Sequence, residues 1–336
     1  MANSETLSYV LPIRLNSPAR ADLIDYVRWL APRVELIIVD GSEPAVFDAN
    51  ATAWRCGAAH LAPDFDVRTL TNGKVAGVIT GVRRASHERI VIADEDVRYD
   101  QDALNALADE LGRADVVRPQ NYFDPTPWHA RLDTARTLLN RVSGGDWPGT
   151  LGVRRSVLLA TNGYDGDVLF ENLELIRTIV AAGGTEARPL DLYVRRRPPS
   201  TEHFWSQRVR QAYDEFARPL RLAVWLAVLP AAAGAVLTSR WRTLAVTTLT
   251  VVLAAEAGRR RAGGARVFPA SASLAAPLWV VERGVCAWIA VAARIFLGGV
   301  PYRGRIVHRA ATPMRELRAL RARCQGPTVP TMPGFL

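Results

Sequence analysis

Residues 72–100 read NGKVAGVITGVRRASHERIVIADEDVRYD. A helix-like segment (74–86) runs into the apolar stretch RIVIAD (89–94), and that stretch ends on Asp94-Glu95-Asp96. The same grammar repeats on either side. Short β-branched runs stand at SYVLPI (8–13), VELIIVD (34–40) and DVVRP (115–119), with helix-like segments at 20–31 and 101–113 between them. Strands alternating with helices at this spacing predict an α/β chain whose sheet is mainly parallel and covered on both faces. Ligands of such sheets sit beyond the carboxyl ends of the strands. Two polar strand ends are therefore the first candidates: Asp40-Gly41-Ser42 and Asp94-Glu95-Asp96. Asp and Gly also make plain turns, so neither end is decisive alone.

Composition narrows the classes. The chain has 336 residues, 49% of them apolar, and a mean hydropathy of +0.02, which excludes a disordered polymer. Its three scattered cysteines (Cys56, Cys286 and Cys324) exclude a disulfide scaffold and a CxxC metal cluster. The formal charge of +9 comes from 42 basic residues against 33 acidic ones, and Lys74 is the one lysine among 41 arginines. No basic patch interleaved with aromatics appears in residues 1–218, so a nucleic-acid partner is not expected. Residues 1–8 carry no basic n-region, and the N-terminal part is expected to fold in the cytoplasm.

After Pro219 the chain changes character. Residues 222–239 form an uncharged run of eighteen residues, about 27 Å of helix against a bilayer core of about 30 Å. A second uncharged run spans 243–255, edged by Glu256 and Arg259–Arg261. A third apolar segment, 274–300, contains Glu282, Arg283 and Arg294. Arg283 and Arg294 are three turns apart and share a face, with Trp279 and Trp288 elsewhere, a pattern of helices lying in the interface. Two crossings return the chain to the side of Arg303, Arg305, Arg309, Arg315, Arg318, Arg321 and Arg323, as the positive-inside rule expects. The expected organisation is thus a catalytic domain (1–218), membrane helices (219–300) and a basic cytoplasmic tail (301–336). Within the middle part, 219–239 and 243–258 would span and 274–298 would be interfacial or re-entrant. The whole would be a multi-pass protein of the cell membrane.

The polar landmarks compose a chemistry. Asp94 and Asp96 together can hold Mg²⁺ or Mn²⁺ while leaving positions for phosphate oxygens. Lys74, Arg208 and Arg210 suit a diphosphate. Glu171 and Glu174 are one helical turn apart and can face one cleft. Metal, diphosphate and carboxylate together describe transfer from a nucleotide-activated donor, with the carboxylate accepting a proton from the attacking hydroxyl. The remaining landmarks, Pro12, Arg14, Asp40 and Gln207, complete the candidate contacts to a nucleotide sugar.

These segments resemble the family 2 glycosyltransferases with the GT-A fold, over roughly residues 7–218. The stretch 72–100 is similar to that family's glycine-lysine helix and DxD strand. NGYDGDVLFENLEL (162–175) is similar to its Glu-Asp acceptor-site stretch, and HFWSQRVRQ (203–211) to its Gln-x-x-Arg-Trp motif. GGVPYRGR (298–305) resembles the end of membrane-bound members of the ceramide-glucosyltransferase and hopanoid-associated kind. The resemblance implies a Rossmann-like GT-A domain and inversion in a single displacement. It implies that Asp40 contacts the nucleoside, Asp94 the ribose or diphosphate, and Asp96 the metal. Gln207 and Arg210 would then line the diphosphate and the acceptor entrance. A UDP- or GDP-linked donor and a membrane-lipid acceptor follow as expected partners. The sequence departs from the pattern twice. Asn172 stands where the family has an aspartate, and an amide accepts no proton; Glu171 or Glu174 takes over, the acceptor needs no base, or the protein is an inactive nucleotide-sugar-binding scaffold. Gln211 replaces the motif's tryptophan, which argues against the alternative of a processive polysaccharide synthase.

Overall fold

The computed structural model describes residues 7–55, 57–302 and 304–324. Cys56, Arg303 and the end of the expected tail, 325–336, lie outside them. The first half runs β1 (Leu7–Ile13), α1 (Ala21–Leu30), β2 (Glu35–Asp40), α2 (Pro44–Ala53), β3 (Ala59–Leu61), α3 (Gly73–Arg84), β4 (Arg89–Ala93), β5 (Val97–Arg98), α4 (Gln101–Glu110), β6 (Val116–Val117) and β7 (Gln120–Phe123). It continues through α5 (Trp128–Val142), β8 (Thr150–Arg154), α6 (Arg155–Ala160), α7 (Glu171–Ala181), β9 (Glu186–Ala187), β10 (Tyr193–Arg196) and α8 (Thr201–Tyr213). The last part holds α9 (Pro219–Leu237), α10 (Trp241–Arg260), α11 (Ala270–Leu274), α12 (Ala276–Leu297), the hairpin β11 (Val300–Tyr302) and β12 (Arg305–Val307), and α13 (Met314–Cys324).

The main sheet has the order β3-β2-β1-β4-β8-β6-β9. Strands β3, β2, β1 and β4 are parallel, as their unbroken apolar runs predict. The expectation for 115–119 is met by β6, which runs in the same direction as β4 and pairs parallel with β9 but is not β4's neighbour. A strand not foreseen, β8, inserts antiparallel between β4 and β6. A small sheet, β5-β10-β7, stands beside it. The register pairs Ile13 with Asp40 and Val10 with Ile92. The carboxyl ends of β1, β2 and β4 therefore finish side by side, which brings Pro12, Asp40 and Asp94 to one edge.

Helix α3 lies directly on β1 because two of its residues lack side chains. A Cβ on Gly77 would sit 2.7 Å from Pro12 Cβ, and one on Gly81 would sit 2.3 Å from Val10 Cγ1. The close approach aims the amino end of α3, and Lys74 with it, over that same edge.

The apolar helices coincide with the three segments expected after Pro219. Their bases pack on the first domain through Leu132, Leu138, Ala255, Phe268 and Trp279. Gly258 of α10 touches the α5 backbone so closely that a Cβ would fall 1.9 Å from the Leu138 carbonyl oxygen. Among the described residues one helix, α9, is long and apolar enough to cross a membrane by length and composition, with a mean hydropathy of 1.9 and none of that window buried. The expected arc of charges on the third segment is not what forms. Arg283 lies one turn after Trp279, and both are 2% exposed, on the side of α12 that faces the protein. Arg294 donates instead to the carbonyls of Gly298 and His308.

Residues 300–324 are no free tail. Leu169 N–H donates to Arg309 O, and Phe170 N–H to Ala310 O, so 309–312 form a strap along the entrance to α7.

Candidate active site

Asp94 and Asp96 emerge where β4 ends, and Asp94 N–H is fixed by Gly149 O at 2.8 Å. Gly149 has no room for a side chain, since a Cβ there would meet Asp94 Oδ2 at 2.6 Å. Lys74 Nζ lies 2.6 Å from Asp94 Oδ1 and 2.8 Å from Glu171 Oε1. Burial opposes its charge, yet the two carboxylates hold the ammonium well above the ordinary lysine range. Arg196 closes the other side, with Nε 2.9 Å from Asp96 Oδ2 and Nη2 3.5 Å from Asp94 Oδ2. Asp96 Oδ1 is buried and accepts no hydrogen bond. Burial pushes the Asp96 carboxyl above its usual range, with Arg196 pulling the other way.

Two cavities meet at this cluster. An outer cleft of about 1180 Å³ is lined by Pro12, Arg14, Asp40, Ser42, Phe47, Lys74, Asp94 and Asp96. An inner chamber of about 260 Å³ is lined by Phe123, Trp147, Asn172, Asp214, Arg218 and Arg283. Both share Asp94, Asp96, Glu171, Arg196, His203, Gln207, Arg210 and Tyr302. Gln207 and Arg210 are three residues apart on α8 and turn the same face to the seam. Arg210 lies over the Tyr302 ring at 5.3 Å, and Gln207 Nε2 contacts His203 Nε2.

Asp40 lines the outer cleft, but its carboxylate is already held by Ser42 N–H and Asn50 Nδ2 at 2.9 Å and by His60 Nε2 at 3.2 Å. Burial works against its charge, and the bonds from His60, Ser42 and Asn50 lower its pKa nonetheless. Asp40 is a fixed acceptor in the wall. Arg14 is half exposed and pairs loosely with Glu43 at 3.8 Å.

Two expected residues are elsewhere. Arg208 is 1% exposed and lines neither cavity. It sits one position round the helix from Gln207, facing α12, where it holds Glu282 Oε2 at 2.6 Å and Asp133 Oδ1 at 3.0 Å. Glu174 is fully buried and accepts Thr312 N–H at 2.6 Å through Oε2. The one-turn spacing from Glu171 is real, but at Glu174 the helix meets the strap rather than the cleft. Burial raises the Glu174 carboxyl above its usual 4.5. A raised acid pKa means the folded state binds the extra proton, so this contribution is complete below pH 4.5 and is lost as pH rises through the raised value. Glu174→Gln should flatten the decline of melting temperature as pH rises above 4.5. A pH profile unchanged from wild type would contradict that placement.

Asn172 is structural: Nδ2 donates to Pro148 O at 2.9 Å, a bond an ionised aspartate could not make. Several residues at the seam and in the inner chamber were not foreseen as site residues. Arg196 hides in a run of three arginines, of which strand alternation turns the central one inward. Tyr302 reaches the seam only through the folding-back of β11. Asp214, Arg218 and Arg283 come together from three elements. The segment 121–141 contributes Phe123, Asp133, Arg136 and Asn140 to the chamber. Tyr122 packs against the core instead, and Trp128 is exposed.

No family model and no curated protein matches the chain. Solved structures do. A mannosyltransferase from Pyrobaculum calidifontis, solved with GDP-Man and Mn²⁺, aligns with a TM-score of 0.52 at 18% identity over 87% of each chain. The fold is of the GT-A kind. Glucosyl-3-phosphoglycerate synthase from Mycobacterium tuberculosis, solved with Mn²⁺, UDP-Glc and phosphoglyceric acid, aligns at 19% identity over 62% of this chain and 78% of that one, with a TM-score of 0.42.

Proposed function

We propose that the protein is an inverting, metal-dependent glycosyltransferase that moves a sugar from a nucleoside-diphosphate donor to a membrane lipid. The observation that carries this reading is the pair of cavities meeting at Asp94, Asp96, Lys74 and Glu171. The outer cleft has the volume and the polar lining for a nucleotide sugar, and the inner chamber approaches the same point from the side of the apolar helices.

The residues fit a divalent ion. Asp96 Oδ1 is buried without a partner, and Mg²⁺ or Mn²⁺ shared with phosphate oxygens asks for only one or two carboxylates. Among the described residues no third acidic, histidine or cysteine ligand joins them. Asp94 and Asp96 would hold the ion, which supplies positive charge for the departing nucleoside diphosphate. Lys74, Arg196 and Arg210 ring the place where that charge develops, in a site partly closed to water. Asp40 and Pro12 bound the nucleoside end. Glu171 is the seam carboxylate outside the metal pair and receives the acceptor's proton where the acceptor brings one. An acceptor oxygen entering from the inner chamber would displace the nucleoside diphosphate directly, the single inverting displacement that the family resemblance implies.

The membrane part of the reading rests on exposed apolar surface. Leu220, Val224, Leu237, Val246, Leu249, Leu278 and Phe296 are between 57% and 86% exposed, and extended exposed apolar surface marks a membrane or protein contact. In this reading α9 and α10 cross the bilayer, α12 lies along its surface, and the GT-A domain faces the cytoplasm.

The test uses purified protein in detergent with radiolabelled UDP- and GDP-sugars, total membrane lipid and Mn²⁺. Label should enter the chloroform phase and fail to do so with EDTA. Measurable donor binding without transfer from any donor would overturn the reading.

A further inference from the structure

The inner chamber is lined by six arginines and six acids, yet two of its guanidiniums keep buried donors that no acid meets. Arg283 is 2% exposed, lines the chamber, and finds no hydrogen-bond acceptor for Nε or Nη1. Arg218 has the same deficit at Nε. Buried guanidinium donors are seldom left unpaired, and here two of them, from α12 and from the turn before α9, face one polar cavity. The acids that face it do not meet those donors: Asp94, Asp96 and Glu171 are engaged by Lys74 and Arg196, and Asp214 Oδ1 and Glu215 Oε2 stay without a hydrogen-bond partner themselves. Asp133 is held by Arg136 and Arg208. Glu215 is held by Arg218 and Arg221, at 3.2 and 3.4 Å. Asp214 is driven toward its neutral form by burial first and by Glu171 second.

We propose that this chamber receives the acceptor as a phosphate monoester, seated on Arg283 and Arg218. The proposal rests on the glycosyltransferase reading and names the head group of its acceptor. A guanidinium pair matches phosphate oxygens in geometry as well as charge. Because the second pKa of such a monoester is about 6, its attacking oxygen is ionised at neutral pH. The step then balances without a base. A phosphate oxygen forms the bond to the anomeric carbon, the bond from that carbon to the donor diphosphate breaks, and the nucleoside diphosphate leaves with the electron pair. The product is a glycosyl phosphodiester, and no proton moves. Asn172 then costs the reaction nothing. The chamber walls Arg221, Trp279 and Arg283 belong to α9 and α12, whose outer faces are apolar and exposed, so an alkyl tail on the phosphate can stay in the lipid.

The test is calorimetric titration of the full-length protein in detergent with decyl phosphate, decanol and glycerol 3-phosphate. Decyl phosphate should bind and decanol should not. Arg283→Gln and Arg218→Gln should each weaken decyl phosphate by about tenfold or more and leave Mn²⁺-dependent UDP or GDP binding unaltered. Equal binding of decanol and decyl phosphate by wild type would overturn the proposal, with no variant needed. So would full decyl phosphate affinity in both variants. Glycerol 3-phosphate binding as tightly as decyl phosphate supports the phosphate seat while removing the lipid from the proposed function. Decyl phosphate bound but never glycosylated leaves the seat standing and overturns the transferase reading. EDTA-sensitive transfer to a neutral lipid alone does the reverse.

Discussion

Under the proposed reaction, Asp96→Asn should lower sugar transfer by about 10²–10³-fold, the scale seen when one charge-stabilising group is removed from an active site. The substitution keeps the shape and removes the charge. It takes half of the anionic pair that faces the diphosphate and leaves Arg196 with Asp94 alone, at 3.5 Å. Donor titrations at fixed Mn²⁺ should show affinity falling together with turnover. Melting temperature in EDTA should hold or rise, because the buried Asp96 carboxyl is uncomfortable when ionised and has one oxygen unpaired. Transfer within tenfold of wild type would remove Asp96 from the reaction.

Arg208→Met carries the second large effect, on stability. Arg208 ties α8 to α12 and α5 through Glu282, Asp133 and Gln211 while almost wholly buried. Removing one member of a buried ionic group strands the others, at a cost of about 3–5 kcal/mol. The signature is recovery. Arg208→Met with Glu282→Met should regain most of the loss, because an apolar pair of similar volume replaces the ionic one, and Asp133 keeps Arg136 at 3.1 Å. Thermal unfolding of both variants in detergent decides it. Folded Arg208→Met should bind donor with wild-type affinity, whereas a diphosphate ligand would lose it.

What the sequence disclosed follows from the range of the interactions. The alternation of apolar runs with helical segments is local, so the parallel half of the sheet and the acidic end of β4 were legible before any coordinates. Lys74 was legible as the one ammonium among guanidiniums. Helical spacing also says correctly that Gln207 and Arg210 share a face, and that Glu171 and Glu174 lie one turn apart. It does not say what each position of a helix meets. Helix α8 runs between the seam and α12, so neighbouring residues on it have opposite fates. Helix α7 starts at the seam and continues under the strap, which spends Glu174 on Thr312. Arg196 and Tyr302 went unread, and Arg283 was misplaced on an interfacial arc of charges, for the same reason. Their partners come from β4, α8 and the turn before α9, far away in the chain, and no local pattern distinguishes them from surface arginines or membrane-edge aromatics.

The strap and the hairpin before it carry a consequence for how the molecule is made. Tyr302, at the seam, and residues 309–312, which fasten the entrance to α7, are translated after every apolar helix. A nascent chain therefore has its sheet, its acidic strand end and its lysine long before it has a finished site. The wall closes only once α9, α10 and α12 have been placed and the remaining segment has come back to the domain made first. The seam is therefore complete only near the end of synthesis, and a chain interrupted before residue 305 lacks both the strand that pairs with Tyr302 and the strap over α7.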